Sequence, residues 1–559
     1  MSEVTPHLPQ RPWCAAFPEA ADWGTPIETG TIPALLDRAR AEHGNHPAIE
    51  FRDRQISYAA LADAADLLAA GLLGLGIAKG NAVALYLPNT PWHPVSFFAL
   101  ARTGAPIVHL SPLDAPRELV HKLHDSGART LVTTNLPGLL PRALELLEQG
   151  HIDRLLVGED SRWGEGETVP VPWSSRVLPL PEALPQAAWP LLSPGDLCLL
   201  QYTGGTTGLP KGAMLTHGNL TAATCMLGLW HDGDATAAGT QRTIIALPLF
   251  HIFALTMLLH RLKHGQELLL RMRFDVEAVL DDISRKRATA FAGVPTMWIG
   301  LLNHPKAVAC DFSSLRSCIA GGAPMPFDVE QKVSQLVGCR VGGGWGMTET
   351  CPAGTRIPNA APPSPGLIGI PVPGIDMCIV DILSPARMLA PGETGEIAIR
   401  GPNVFKAYWN KPEETKAAFH DGWFLTGDIG RMDERGLFTI LDRKKNMIIS
   451  SGFNVYPASV ESMIYEHPSV AEVLVIGIPD PYRGQAAKAF ITLRPDAAPL
   501  TLEELRLFLA DRLGKHEMPV ALELRESLPR SPVGKLLPKV LLDEEMMKTA
   551  TIIKSEETN

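Results

Sequence analysis

The apolar positions of the chain fall into two successive textures. PAIEF at 47–51 and the segment Gln55–Tyr58 read as a short strand pair, and Ser57 stands where a helix of Ala and Leu running to about Leu75 needs its cap. NAVALYLPN at 81–89 reads as an apolar strand closed by Pro and Asn, and the segment from about Trp92 to Thr103 as an apolar helix. APIVHLSP (105–112) and RTLVTTN (129–135) repeat the strand pattern around a polar helix, RELVHKLHDSG. RTIIALPLF (242–250), ATAFAGVP (288–295) and LRSCIAGGAP (315–324) repeat it again. Strands of β-branched residues alternating with helices predict parallel sheets covered on both faces, so most of the chain is expected to be α/β.

Beyond Ser364 the strands shorten. IPVPGIDMCIV (370–380), GEIAIRG (395–401) and GLFTILDR (436–443) are separated by Gly, Pro and Asp turns, the pattern of an antiparallel β subdomain. After the charged turn DRKKN (442–446) come a helix from about Pro457 to His467, the strands VAEVLVIGIP and AAKAFITL, and the helix TLEELRLFLADRLG. The expected fold is an α/β large N-terminal domain with an antiparallel β subdomain, plus a small mobile α+β C-terminal domain. The boundaries are a leader over 1–30, the large domain over 31–443 with its β subdomain over 364–443, the small domain over 444–545 and a polar tail over 546–559. A hinge is expected near Lys444 and Lys445.

Composition narrows the function. A chain of 559 residues, 45% hydrophobic and 20% charged, holds material for several cores, which excludes a peptide hormone, a small disulfide scaffold and a disordered chain. The formal charge of −10 disfavours general nucleic-acid binding and leaves small molecules as the better class of partner. The eight cysteines form no CxxC pair and mostly lie in apolar surroundings, as reduced thiols of a cytosolic protein do. The opening MSEVTPHLPQRPW lacks the basic start and apolar stretch of a signal peptide, and Leu67–Ala78 is too short to cross a bilayer. A cytoplasmic location is expected, with peripheral contact at the inner membrane face left open.

The strongest local signal is QYTGGTTGLPKGAMLTHGN at 201–219. Thr203, Gly204, Gly205, Thr206, Thr207 and Gly208 put hydroxyls and Cβ-free backbone into one loop, as close approach of backbone N–H groups to phosphate requires, and Lys211 adds a positive charge. Pro210 before Lys211 and Gly212 after it break the GxxxxGK[ST] pattern, which disfavours a P-loop NTPase.

With the motifs that follow in order, this run resembles the adenylate-forming acyl-CoA synthetases, or AMP-binding ligases, over about residues 30–543, nearest to bacterial medium- and long-chain fatty-acid CoA ligases. The resemblance implies the acyl-adenylate-forming ligase fold and the use of ATP, Mg²⁺ and coenzyme A. GGAP at 321–324 is similar to the turn beside the adenine, which implies nucleotide contacts for Gly322, Ala323 and Pro324. GWGMTET at 344–350 is similar to the motif whose threonine, here Thr348, touches the α-phosphate and whose glutamate, here Glu349, ligates Mg²⁺. Gly344, Trp345, Gly346 and Met347 would then lie around the nucleotide, with Thr203 as a second metal contact. WFLTGDIG at 423–430 implies that Asp428 binds the ribose hydroxyls, and LDRKKN at 441–446 that Arg443 binds ribose or phosphate and Lys445 is the hinge. LPRSPVGK at 528–535 implies that Lys535 catalyses adenylation, and SGFNVYP at 451–457 that Gly452 admits the pantetheine arm to the thioester-forming site. In such enzymes the acyl-adenylate forms first, and the thiol of coenzyme A displaces AMP after the small domain turns.

Elementary chemistry agrees. A carboxylate attacking an α-phosphate meets negative charge, so cations must offset repulsion as charge moves onto pyrophosphate. Lys211, Lys535 and a Mg²⁺ held by Glu349 are suitable components. On the acyl side, LPLFHIFALTMLLH at 247–260 resembles the corresponding stretch of bacterial long-chain ligases. His251 is the candidate for contact with the substrate carboxylate, its alternative being a histidine satisfied at a helix start. Phe250, Phe253, Met257 and Trp298 are candidates to line an acyl tunnel, with Trp298 as its stop, and no Lys or Arg in 247–259 stands ready for a second carboxylate. Long-chain, medium-chain and aromatic acids stay open as substrates, as do a separate carrier protein as acceptor and a homodimer as the assembly. A non-catalytic nucleotide-binding adaptor is disfavoured by the coexistence of Glu349 and Lys535.

Overall fold

Two seven-stranded sheets carry most of the chain in the computed structural model, which describes residues 11–17, 22–184, 188–203, 210–230, 240–323, 325, 327–362, 364–451, 453–495, 497–530 and 536–556. The first sheet runs Val177–Pro179, Arg154–Gly158, Thr130–Thr134, Val83–Leu85, Ile107–His109, Leu197–Thr203 and Lys211–Thr216. The second runs Val341–Gly343, Ser317–Ala320, Ala290–Gly293, Arg242–Ile245, Glu267–Leu270, Pro47–Phe51 and Arg54–Ser57. Each is parallel until its last pair, which is antiparallel. Both faces of a parallel sheet must be covered, and buried helices pack against these two sheets. Every residue of Trp92–Thr103 is buried, and the helix ends at Gly104 with φ of 76°. Helix Tyr58–Gly74 starts where Ser57 Oγ accepts the Ala60 N–H at 3.1 Å. One continuous core joins these helices to strands of both sheets and reaches into the β subdomain through Ile370, Ile399 and Phe438.

The β subdomain is an antiparallel sheet in the order Thr355–Arg356, Leu367–Pro371, Phe438–Arg443, Trp423–Met432, Gly395–Arg400 and Asp376–Val380. The C-terminal α+β unit has its own sheet, Phe453–Val455, Ile448–Ser450, Gly484–Leu493 and Val470–Asp480, with Ala521–Leu524 parallel to Gly484–Leu493. Its core is separate and includes Val460, Val475 and Leu505. Helix Pro538–Glu556 continues into the segment expected as a polar tail. Asp442 bridges the two parts: its Oδ1 accepts from the Arg443 N–H at 2.6 Å and from Asn446 Nδ2 at 3.1 Å, and its Oδ2 accepts from the Ala458 N–H at 2.6 Å.

Candidate functional site

The Gly/Thr-rich run lies in the sequence between two paired strands of the first sheet. Thr203 ends one strand, Lys211 opens the next, and the two are register partners in an antiparallel pair. Helix Pro116–Ser126 supports this base. His121 Nε2 lies 2.9 Å from the Pro210 carbonyl oxygen, and the Tyr202 hydroxyl donates to Asp125 Oδ2 at 2.7 Å. Lys211 Nζ lies 5.3 Å from the centre of the Tyr408 ring, a cation–π arrangement. The Tyr408 hydroxyl donates to Glu349 Oε1 at 2.8 Å.

Glu349 occupies the 3-10 turn Thr348–Thr350 and is 5% exposed. Its carbonyl accepts from the Phe405 N–H at 2.8 Å, which ties the turn to the chain leading to Tyr408. Burial holds its carboxyl above the ordinary range, and the Tyr408 hydroxyl is foremost among the groups pulling it down. Among the described residues no group of three or more His, Cys, Asp and Glu could hold a metal by itself. The single buried carboxylate of Glu349 fits Mg²⁺, which keeps water and substrate phosphate oxygens and takes only one or two protein carboxylates. Glu349 and Thr203 line the same cleft.

The GWGMTET segment turns sharply because its glycines lie against backbone. A Cβ on Gly346 would stand 1.7 Å from the Pro352 carbonyl oxygen, and one on Gly344 2.2 Å from that of Thr355. Between them, Trp345 donates its N–H to Thr355 Oγ1 at 3.0 Å and its indole N–H to Asp428 Oδ2 at 2.7 Å, while Met347 donates its N–H to Thr350 Oγ1 at 3.0 Å. Asp428 is fully buried, opposite Arg443 across two antiparallel strands, and its Oδ1 lies 2.6 Å from Arg443 Nε. Both carboxylate oxygens are therefore engaged. Gly322, at φ of 79°, and Ala323 follow the strand Ser317–Ala320 and line the cleft with Thr348.

Phe250, His251, Phe253 and Met257 also line the cleft. His251 caps helix Ile252–Lys263, its Nδ1 accepting the Phe253 N–H at 3.3 Å, so the histidine is held at a helix start and still faces the cleft. The Phe253 ring packs where Gly321 has no side chain: a Cβ there would be 2.9 Å from the ring. Trp298 does not stop the cavity. It is fully buried in a core behind it, with its ring centre 4.8 Å from that of Phe291 and its indole N–H donating to the Ile319 carbonyl at 3.1 Å. A buried Trp needs a partner for its N–H, and the strand backbone at Ile319 supplies it.

Gly204, Gly205, Thr206, Thr207, Gly208, Pro324, Gly452 and Lys535 lie outside the described residues. The reading of the sequence missed Tyr408. Its aromatic hydroxyl lies 59 positions from the carboxylate it serves, and no local pattern marks it.

Both halves of this arrangement have known counterparts. The chain belongs to the AMP-binding enzyme family, which matches residues 36–409, and the AMP-binding enzyme C-terminal domain matches residues 459–535. It is 36% identical over 557 residues to the long-chain-fatty-acid–CoA ligase of Bacillus subtilis (strain 168), covering 96% of this chain and 98% of that one. It is 36% identical over 494 residues to a feruloyl-CoA synthase of Amycolatopsis sp., covering 88% and 94%. The O-succinylbenzoate coenzyme A synthetase of Bacillus subtilis, solved with ATP and a magnesium ion, superposes with a TM-score of 0.76 at 29% identity over 90% of this chain and 98% of that one. The protein is an ATP- and Mg²⁺-dependent, AMP-forming acyl-CoA ligase that activates a carboxylic acid as acyl-AMP and transfers the acyl group to coenzyme A.

Proposed function

We propose that the carboxylic acid is a fatty acid of long or medium chain. The observation that carries this reading is the apolar wall of Phe250, Phe253 and Met257 along the start of helix Ile252–Lys263, facing the cleft without a lysine or arginine over 247–259. Each methylene buried there is worth about 0.8 kcal/mol. The likeness to long-chain ligases supports it.

In this reading Lys211 and the loop from Thr203 to Gly208 bind the phosphates, Thr348 contacts the α-phosphate, and Gly322, Ala323, Pro324 and Gly344 to Met347 surround the nucleotide. Asp428 and Arg443 take the ribose. Glu349 and Thr203 would hold Mg²⁺, which supplies positive charge to the phosphate oxygens when bound. His251 orients the carboxylate, and Lys535 stabilises charge during adenylation. Rotation of the residues beyond Arg443 about Lys445 then brings Gly452 to the pantetheine thiol. No described helix is long and apolar enough to cross a membrane; a cytoplasmic enzyme that takes its substrate at the inner membrane face is part of the proposal.

An aromatic acid is the second reading, favoured by the equal identity to feruloyl-CoA synthase. The test is AMP and acyl-CoA formation from acetate, octanoate, decanoate, palmitate and benzoate, with ATP, Mg²⁺ and coenzyme A each omitted in turn. Thioester formation rising with chain length supports the first reading, and a peak at benzoate supports the second. Adenylate without thioester would redirect the acyl group to a carrier protein.

A further inference from the structure

The segment Leu247–His251, between strand Arg242–Ile245 of the second sheet and helix Ile252–Lys263, carries Phe250 and His251 into the cleft. It is gripped by two amide side chains, one on strand Leu197–Thr203 of the first sheet and one in the loop that follows strand Val83–Leu85 of that sheet. Asn89, 1% exposed, donates its Nδ2 to the Leu247 carbonyl at 2.8 Å and accepts the Leu249 N–H on its Oδ1 at 2.8 Å. Gln201, two residues before Thr203 on the same strand, donates its Nε2 to the Phe250 carbonyl at 3.0 Å. A carbonyl only accepts, so the nitrogen of the Gln201 amide must face Phe250 and its oxygen must face His109 Nδ1, at 3.0 Å. His109 Nδ1 therefore carries the proton, and burial keeps this ring neutral by pushing its pKa down to about 4, well below the ordinary histidine value.

We infer that Asn89 and Gln201 are positioning residues for the carboxylic acid: they fix Leu247–His251 relative to the strand that ends in the phosphate-binding run, and His109 fixes the Gln201 amide. This rests on the proposal that Leu247–His251 borders the acyl site. A buried donor or acceptor left without its partner is costly, so a segment that loses one of these bonds shifts until it finds another. Phe250 and His251 shift with it, whereas Thr203 and Lys211 stay paired in their own sheet.

The test is steady-state kinetics of Gln201→Met, which preserves side-chain bulk and removes both amide functions. The KM for the best carboxylic acid should rise about tenfold to a hundredfold, and that for ATP should stay within about twofold. His109→Phe, which removes only the bond that orients the amide, should give a smaller rise with the same asymmetry. Asn89→Leu probes the other grip by the same readout should Gln201→Met fail to fold. A role in packing alone would lower the melting temperature and move both KM values together. That result, or unchanged KM values in a folded variant, overturns the inference. Failure of the wild-type protein to form acyl-CoA from any fatty acid would instead overturn the substrate proposal.

Discussion

The Tyr408 hydroxyl donates to Glu349 Oε1 at 2.8 Å, while the same ring lies 5.3 Å from Lys211 Nζ. One side chain thus touches the carboxylate proposed to hold the metal and the lysine proposed to hold the phosphates. Burial favours the protonated form of Glu349, and a proton competes with a cation for the same oxygens. Tyr408→Phe should therefore raise the Mg²⁺ concentration that half-saturates adenylate formation several-fold, by more at pH 6 than at pH 8. Pyrophosphate release titrated with Mg²⁺ at both pH values checks this, and a shift independent of pH would contradict it.

Gly321 bears on acyl selection. Because a Cβ there would stand 2.9 Å from the Phe253 ring, Gly321→Ala should push that ring into the cleft. The expected outcome is a drop of about tenfold in kcat/KM for the longest acids relative to the short ones, the scale of discrimination that a few methylenes carry. Competition between palmitate and octanoate measures it directly, and an unchanged ratio would show that the ring moves elsewhere.

Much of the fold is legible in the sequence because its signals are local. Helix Trp92–Thr103 was expected over the range observed: its apolar run is bounded by Pro91 and Gly104. The strand in NAVALYLPN was expected longer than the observed Val83–Leu85, since apolarity continues past the last ladder bond into the loop bearing Asn89. The runs on which the family resemblance rests are legible because each is contiguous, and the family match spans residues 36–409. Tyr408, Asn89 and Gln201 were not, because their partners lie 59, 158 and 49 positions away. Trp298 was misplaced for a related reason. An apolar helix shows that a Trp is buried, but which wall it joins depends on where its N–H finds a carbonyl, here that of Ile319.

Glu461, on helix Pro457–Tyr465, accepts the Val475 N–H at 2.7 Å. Desolvation of this half-buried side chain, against that hydrogen bond, pushes its carboxyl up to about 8. The folded protein thus keeps a proton that the unfolded chain releases near the ordinary glutamate value. This group's stabilisation is greatest at low pH and is lost as pH rises toward about 8. Glu461→Gln removes that slope. The stability of the variant relative to wild type should improve by about 1 kcal/mol or more between pH 5 and pH 8. The buried His109 and His217, both pushed down to about 4 by desolvation, act in the opposite direction in both proteins and cancel in the comparison. Urea midpoints at the two pH values decide it, and a constant difference would show that Glu461 ionises normally.

Arg530 and Leu536 pair as an antiparallel bridge on the C-terminal unit, and Lys535 precedes Leu536 in the sequence, beyond the proposed hinge at Lys445. Adenylation moves negative charge onto pyrophosphate and gains from a second cation beside Lys211. Thiol attack on the mixed anhydride releases AMP without building comparable charge. Lys535→Ala should therefore slow adenylate formation by about 100-fold or more, the scale of one preorganised charge-stabilising group. Conversion of supplied acyl-adenylate to thioester should change by only about a few-fold. Separate assays of pyrophosphate release and of acyl-CoA formation from synthetic acyl-AMP resolve the two steps. Equal losses in both would mean that Lys535 serves the thioester step as well, and that the motion about Lys445 does not exchange it for another group.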